Sequence, residues 1–494
     1  MKGERIMSLT SLLASIINLS NVIGGLLWGW WTQLFLILVG GYLLVGTRFY
    51  VFRRFGYIMK NTMGKMFEKR ENKTVGLTSV QAVLGALAGT IGMGNIAGTA
   101  SAIAVGGPGA VFWMWLFAFL GMSLKTAEVT LAVHYREVAP DGSYIYGGPM
   151  YYMRKALNAK ALAVVFSVGL ILNAVLMAAT MQTHTIIEAV NYAYNINPYI
   201  IGGVIVVLTM LVVLVGLKGI GKVCEALVPA MTLIWFLIAL VVVGSNISNV
   251  PYAISQIFIH AFTSVSAAGG FVGASVALAI QQGAARGTGS NDAGVGVAPC
   301  IHATADVEHP FKQGMWGTTE VFVDTIVVCT LTALIILTPK DIWSSGGTGV
   351  ALTMSAIETV LPANISNFLV TLCIFAFCFS TVLVFYVYFE TACVNLFGEN
   401  AFKYLKWLYF IVPAAFAGYT NVNALYGGFA NIGSGLCLLP NLIAVALLGK
   451  PFFGLLKDWE GERKYDTAIT DKNHQYIKMS KEYERELASK MGGK

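Results

Sequence analysis

Charged residues are scarce in this chain of 494 residues. Only 12% are Asp, Glu, Lys or Arg, whereas an average soluble domain carries about 25%. Hydrophobic residues make up 56% of the chain, and the mean hydropathy is +0.69. So few charges cannot cover a surface that faces water on all sides. The composition therefore excludes a soluble globular protein and indicates an all-α polytopic membrane protein.

The sequence also lacks the patterns of several other classes of protein. None of its seven Cys forms a CxxC pair, which disfavours a disulfide framework or a Cys metal site. It contains no HExxH, GxSxG or Walker-type run, so nothing predicts an enzyme or a cofactor. Residues 6–27 are weakly apolar and are followed by no AxA-like site. This stretch is predicted as an interfacial or re-entrant helix, and not as a cleaved signal.

Long apolar stretches are what the sequence has instead. A helix needs about 20 mostly apolar residues to cross the hydrocarbon core of a membrane. Eleven stretches are predicted to do so: 30–49, 81–106, 107–134, 162–191, 199–216, 223–244, 260–285, 315–338, 364–390, 403–420 and 429–449.

Lys and Arg occupy every second loop between these stretches. They cluster at 48–73 and in the tail beyond 450, and they include Arg286 and Lys312 after the seventh stretch. The alternate loops, 192–198, 245–259, 339–363 and 421–428, contain Lys340 alone. Because cytoplasmic loops collect positive charge, the N-terminus is predicted outside and the C-terminus in the cytoplasm, across the plasma membrane. The net charge of +7 is thus a topology signal, and no nucleic-acid partner is expected.

Glycines interrupt two of the eleven stretches. The run GTIGMGNIAG fills Gly89–Gly98 of the first, and Gly269, Gly270 and Gly273 lie in 260–285. Such glycines can serve close helix packing alone. A matched pair of interruptions, however, is typical of transporters built from inverted repeats, whose ligand site lies at the paired breaks.

Each interrupted stretch opens a set of five spans, and because five is odd the second set must be inverted. The chain is therefore predicted to consist of residues 1–80 with one extra span, a first repeat 81–244, a second repeat 260–449 and a polar tail 450–494.

A broken helix exposes backbone groups that lipid cannot satisfy. The N-terminus of a half-helix favours a carboxylate, and freed carbonyl groups suit a small cation such as Na⁺. One break can therefore hold an amino acid and its coupling ion, with Thr90 and Asn95 adding side-chain oxygens.

Four other polar residues of interest lie within the predicted spans. Asp324 is an intramembrane acid, for which contact with the ion path and a structural pairing are both open. Gln281 or Gln282 can reach the pocket. Glu128 follows Lys125 by three residues, which favours an ion pair on a helix surface.

Six segments form a set that is specific when taken together. They are Ala86–Trp115 (ALAGTIGMGNIAGTASAIAVGGPGAVFWMW), Gly147–Tyr152 (GGPMYY), Gly269–Ala274 (GGFVGA), Ala285–Pro299 (ARGTGSNDAGVGVAP), Asp324–Thr330 (DTIVVCT) and Ser380–Leu383 (STVL). In this order they resemble the signature of the alanine or glycine:cation symporter family, over nearly all of residues 30–450.

The resemblance implies a leucine-transporter type of fold with one extra N-terminal helix. It implies uptake of a small neutral amino acid, alanine or glycine, driven by Na⁺ or H⁺. Carried onto this chain, it implies substrate or ion contacts from one group of residues: Thr90, Gly92, Gly94, Asn95, Gln182, Gly269, Gly270 and Phe271. It implies a Na⁺ site formed by the backbone oxygens of Ala88 and Ile91 with the hydroxyls of Ser380 and Thr381.

Some positions depart from the usual pattern of that family. Met93 stands where a small or hydroxylated residue is common, and Asp292 stands where Glu is common. Met93 is expected to reshape the pocket, so a different small amino acid is an alternative substrate.

One other function remains open, and a second is disfavoured. A membrane sensor that binds an amino acid without moving it has the same sequence features. A channel is disfavoured, because pores are usually built from repeated filters or charged rings. The sequence gives no information on the oligomeric state.

Overall fold

The computed structural model describes residues 2–66, 76–139, 144–265, 274–418 and 422–461. Its helices arise because a backbone surrounded by apolar side chains must satisfy its own hydrogen bonds. They are α1 (Lys2–Leu27), α2 (Trp30–Gly46), α3 (Tyr50–Arg53), α4 (Phe55–Asn61), α5 (Ser79–Thr90), α6 (Thr99–Gly106), α7 (Gly109–His134), α8 (Pro149–Lys155), α9 (Lys160–Leu172), α10 (Thr183–Tyr194), α11 (Pro198–Val213), α12 (Leu217–Ser245), α13 (Val250–Phe262), α14 (Val276–Asn291), α15 (Pro299–His302), α16 (Pro310–Val321), α17 (Thr330–Leu337), α18 (Gly349–Glu358), α19 (Ala363–Leu405, kinked at Gly398), α20 (Leu408–Phe416), α21 (Val422–Leu447) and α22 (Gly449–Trp459).

Wider π-helical turns continue three of these helices. Gly94–Gly98 leads into α6, Asn173–Gln182 joins α9 to α10, and Phe322–Cys329 joins α16 to α17. Short 3₁₀ turns occupy Met63–Lys65 and Ile247–Asn249. The π-turns matter here because all three contain predicted site residues, namely Gly94 and Asn95, Gln182, and Asp324. Such turns occur often at functional sites.

Among the described residues, seven helices are long and apolar enough to cross a membrane, or eight if α5 and Gly94–Gly106 form one bent span. The predicted number of eleven is not confirmed. The stretches 199–216 and 403–420 correspond to α11 with 16 residues and α20 with 9. At 1.5 Å per residue, α20 is only about 14 Å long, too short to cross the hydrocarbon core by itself.

The stretch 260–285, predicted as one span interrupted by glycines, contains the end of one helix and the start of the next. Helix α13 ends at Phe262, and α14 begins at Val276 with Ser275 as its cap, whose Oγ accepts the Leu278 N–H at 3.2 Å. Val265 and Ala274 bond to each other's backbone at 2.8 and 3.0 Å. The physical reason is a serine cap and a glycine-rich connection, which end helices that hydropathy alone would merge.

The N-terminal helix also differs from the expected surface helix. Helix α1 packs along α21, and the indole N–H of Trp28 donates to the Asn431 carbonyl at 3.1 Å. Ser15–Gly46 forms one apolar stretch of 32 residues across α1 and α2. Residues 6–27 therefore contribute to the bundle itself.

Two short sheets close one end of the bundle. β1 (Leu77–Thr78) pairs in parallel with β4 (Ala305–Asp306), and β2 (Glu137–Val138) pairs antiparallel with β3 (Ile145–Tyr146). The β1–β4 pair joins the residues just before α5 to the residues just after α15. It therefore ties the two broken regions together at this end.

Candidate functional site at two helix breaks

The first break separates α5 from the turn that leads into α6. Helix α5 starts with a capping box between Thr78 and Gln81 and ends at Thr90, after which Ile91 is extended at φ −73° and ψ 93°. The two halves differ in direction by 49°. The backbone at Gly92 approaches two side chains closely, since a Cβ there would lie 2.8 Å from Thr381 Oγ1 and 3.1 Å from Gln182 Nε2.

The amides of this break already have partners within the protein. The Gly92 N–H donates to Asn95 Oδ1 at 3.0 Å, and the Met93 N–H donates to Gln182 Oε1 at 3.2 Å. The sequence led us to expect these amides to be free for a carboxylate. In the structure a carboxylate must displace the Gln182 oxygen to reach the Met93 amide.

Asn95 links this break to the span that carries Asp324. Its Nδ2 lies 2.8 Å from Asp324 Oδ1, and the other carboxylate oxygen accepts from the hydroxyls of Ser290 and Thr325. Asn95 and Asp324 are both fully buried. Their side chains therefore lie in the wall of the site and do not line the cavity described below.

The second break follows α14, where the sequence had not placed it. Asp292, Gly294 and Gly296 have φ values of +54°, +90° and +81°. This left-handed conformation is open to glycine and tolerated by Asp. The run Asn-Asp-Ala-Gly-Val-Gly was thus a usable signal for a break. The predicted position at Gly269, Gly270 and Phe271 lies outside the described residues.

Glu128 occupies a different environment from the predicted helix surface. It is fully buried, and its Oε1 accepts the Gly294 N–H at 2.9 Å and the Asn441 Nδ2 at 2.6 Å. Lys125 pairs instead with the buried Glu320 at 3.6 Å. The ion pair predicted between Lys125 and Glu128 was wrong, because helix packing buries this face of α7 against α16 and α14.

A cluster of oxygens lies where α5 meets α19. Thr381 Oγ1 is 2.9 Å and Ser380 Oγ is 3.4 Å from the Ala88 carbonyl oxygen. All three residues, and Ile91 with them, are buried. Three of the four predicted Na⁺ ligands therefore meet at the C-terminal end of a half-helix, which carries partial negative charge. This donor set of hard oxygens fits a small cation.

A cavity of about 1050 Å³ connects the two breaks to one end of the bundle. Six of the predicted residues line it: Thr90, Met93, Gly94, Gln182, Gln281 and Thr381. It extends to Tyr192 of α10 and to Met354 of α18. The loops after α10 and before α18 carry almost no Lys or Arg, so the cavity reaches the end of the bundle that was predicted to face outside.

Several charged residues of the cavity wall were missed as site residues, among them Arg286 and Asp292. Arg286 was read as a loop charge, but it lies within α14, and its Cδ would be 3.9 Å from a Cβ at Gly98. Asp292 was noted only as a departure from the family pattern. Both line the cavity, and among the described residues neither side chain has a hydrogen-bond or ion-pair partner.

Comparison with known proteins decides the family. The model of the sodium:alanine symporter family matches residues 13–473. The chain belongs to this family. The sodium:alanine symporter family consists of secondary transporters, so the chain is a membrane transporter and not an enzyme, as the sequence predicted. The resemblance stated from its motifs is thereby confirmed.

Two relatives within the sodium:alanine symporter family illustrate its range. The chain is 35% identical to the sodium/alanine symporter AgcS of Methanococcus maripaludis over 446 residues, 87% of this chain and 94% of the relative. It is 36% identical to the probable sodium/glutamine symporter GlnT of Bacillus subtilis over 390 residues, 78% and 80% of the two chains.

Among solved structures, a mutant of the manganese transporter of Eremococcus coleocola shares the fold. It has a TM-score of 0.50 at 12% identity over 84% of this chain and 92% of that one. Its similarity confirms a helical transporter fold of the leucine-transporter type.

Proposed function

We propose that this transporter is a symporter that imports a small neutral amino acid, alanine or glycine, together with Na⁺. The observation that supports this most strongly is the meeting of two breaks at one cavity. Gly94 of the first break packs against Gly289 and Ser290, which immediately precede the second break. Backbone, hydroxyl and charged groups for both an amino acid and a cation thus lie around one point.

The first break binds the carboxylate of the amino acid in this proposal. Met93 and Gly94 precede the half-helix that continues through α6, where amide groups and the helix dipole favour an anion. The Gln182 side chain supports this assignment, because its Oε1 now accepts the Met93 N–H as a carboxylate oxygen would. On binding, the carboxylate replaces Gln182 Oε1, and the Gln182 amide turns to donate.

Sodium binds beside the substrate, at the Ala88 carbonyl and the Ser380 and Thr381 hydroxyls, with Ile91 completing the set. Thr381 also lines the cavity, so the ion and the substrate touch the same helix. Ion binding would hold α5 against α19 and so favour the state that accepts substrate from outside. This is coupling by a shared conformation, as alternating access requires.

Met93 decides which side chains fit. It lines the cavity, and its sulfur lies 3.4 Å from Thr185 Oγ1. The long thioether fills space beside the proposed carboxylate position, which favours a substrate with a small side chain.

The test is uptake by the purified full chain in proteoliposomes. Labelled alanine, glycine and glutamine are offered with a Na⁺ gradient, with an H⁺ gradient and with neither. We expect alanine or glycine uptake that needs the Na⁺ gradient. Binding without uptake under any gradient would identify a sensor, and uptake that ignores both gradients would contradict symport.

A further inference from the structure

The N–H groups of the second break from Ala293 to Gly296 all have partners within the protein. The Ala293 N–H donates to Asn291 Oδ1 at 2.9 Å, and the Val295 and Gly296 N–H groups donate to the Asp292 carbonyl at 3.1 and 3.4 Å. Side chains from two other helices, α7 and α21, form hydrogen bonds with the backbone of Gly294. This break therefore does not need a ligand to satisfy its amides, in contrast to the usual reason for a ligand at broken helices.

Gly294 is held at both of its backbone groups. Glu128 of α7 accepts its N–H at 2.9 Å, and Asn441 of α21 donates to its carbonyl at 2.8 Å. Asn441 also donates to Glu128 at 2.6 Å and accepts from the Tyr152 hydroxyl. All of these side chains are fully buried. Glu128 and Asn441 together therefore fix the backbone of this turn.

The turn places one side-chain charge at the cavity. Asp292 lines the cavity, and its carboxylate has no hydrogen-bond partner among the described residues. Lys125 of α7 is already paired with Glu320. Arg286 also lines the cavity, and among the described residues it forms no ion pair with Asp292. An unpaired carboxylate in a largely buried position is costly and indicates a cationic ligand.

We propose that the Asp292 carboxylate binds the ammonium group of the substrate, and that Glu128 and Asn441 position it through Gly294. This inference rests on the proposed function. The two charged groups of an α-amino acid are attached to one carbon, so their partners must lie on adjoining segments. Gly94 and Ser290 bring the two segments together, because a Cβ added at Gly94 would lie 3.6 Å from the Ser290 Cα. The carboxylate thus faces the first break while the ammonium group faces the second.

The test compares alanine with propanoate, which lacks the ammonium group. Uptake of labelled alanine is measured in proteoliposomes for the wild type, Asp292→Asn and Asp292→Glu, with propanoate as competitor. Asn tolerates the left-handed backbone, so the turn is retained. We expect the KM for alanine to rise roughly 10- to 100-fold in Asp292→Asn, because one charged hydrogen bond is lost. Asp292→Glu should keep a KM near that of the wild type.

The matched control is Asp341→Asn. Asp341 is also left-handed, with φ +68°, but it is exposed in the loop before α18. It should leave the KM unchanged. The preference for alanine over propanoate should shrink in Asp292→Asn alone.

The positioning role of Glu128 has its own readout. Glu128→Gln retains an acceptor for the Gly294 N–H, so its KM for alanine should change less than that of Glu128→Ala. The half-saturating Na⁺ concentration should stay the same in both. An equal loss in the two variants would overturn the positioning role.

Other results overturn the ammonium site itself. An unchanged KM for alanine in Asp292→Asn overturns it. A shift in the half-saturating Na⁺ concentration without a shift in KM also overturns it, because that result would assign Asp292 to the ion. If Asp292→Asn fails to fold, equal competition by propanoate and alanine in the wild type overturns the site. A wild type that takes up no amino acid contradicts the proposed function, and that result is distinct from all of these.

Discussion

Asn95 and Asp324 form a buried bridge between two helical spans. The Asn95 amide donates to the carboxylate at 2.8 Å, and its oxygen accepts the Gly92 N–H at 3.0 Å. The bridge joins the first break to the span that runs through Phe322–Cys329. Movement of the first break relative to this span would therefore strain or break the bridge.

Substitutions of Asn95 should lower the stability of the protein to different degrees. Asn95→Ala leaves the Gly92 N–H without its acceptor, at a cost of about 1–3 kcal/mol. Asn95→Asp should be worse, because it sets a second buried carboxylate against Asp324. Thermal unfolding of the detergent-purified variants measures the order. If the Asn95→Asp variant is more stable than the Asn95→Ala variant, the bridge is contradicted.

Thr381→Ala should weaken the dependence on Na⁺. The hydroxyl lies 2.9 Å from the Ala88 carbonyl, and its loss removes one oxygen of the proposed ion site. We expect half-saturating Na⁺ to rise roughly tenfold, the effect of about 1.4 kcal/mol, with little change in substrate preference.

Thr391→Ala is the matched control for Thr381. Thr391 lies ten residues later on α19, is buried, and donates within its own helix to Val387 at 2.8 Å. A change in substrate preference without a change in Na⁺ dependence would show that Thr381 contacts the substrate instead of the ion.

Met93→Thr should widen the range of accepted amino acids. The shorter side chain leaves space in the cavity next to Thr185. Competition of labelled alanine uptake by serine, valine and glutamine measures the change, and Met93→Leu, which conserves size, is the control. An unchanged competition profile would remove Met93 from the pocket.

Arg286→Gln should reduce the capture of substrate carboxylate. Arg286 lines the cavity and has no ion-pair partner among the described residues, so its positive potential attracts anions. We expect the KM for alanine to rise several-fold, and Arg286→Lys should restore most of the affinity because the charge is retained. Equal KM values in all three proteins would show that the guanidinium has no part in recognition.

Arg136→Gln should loosen the end of the bundle that β1 and β4 close. The Arg136 guanidinium donates to the Ala303 and Ala305 carbonyls at 3.0 and 2.6 Å, beside the bond from Leu77 to Thr304. Thiol labelling of a Thr304→Cys reporter measures the opening, since Thr304 is almost fully buried. We expect faster labelling with Arg136→Gln than without it. Equal rates would mean that the strand pair alone holds this end.

The sequence by itself determined the class of protein and the first break. The small number of charges and the many apolar residues required a membrane. The glycine-rich run Gly89–Gly98 marked a helix break, because glycine weakens a helix wherever that helix lies in the fold. The motif around Ser380 and Thr381 located the oxygen cluster, because the family pattern fixes which residues meet. These features are local in the chain, and a sequence records them directly.

Only the tertiary structure decided the rest. The glycines of 260–285 indicated an interruption, but hydropathy could not show that one helix ends at Phe262 and the next begins at Val276, after the cap at Ser275. It could not show that the second break lies at Asp292–Gly296, or that Glu128 holds it from α7 while Arg286 lines the cavity. A polar residue in a span can lie on the surface, form a buried hydrogen bond or line the cavity, and the helices packed around it decide which. That choice depends on packing between distant parts of the chain, and neither periodicity nor composition records it.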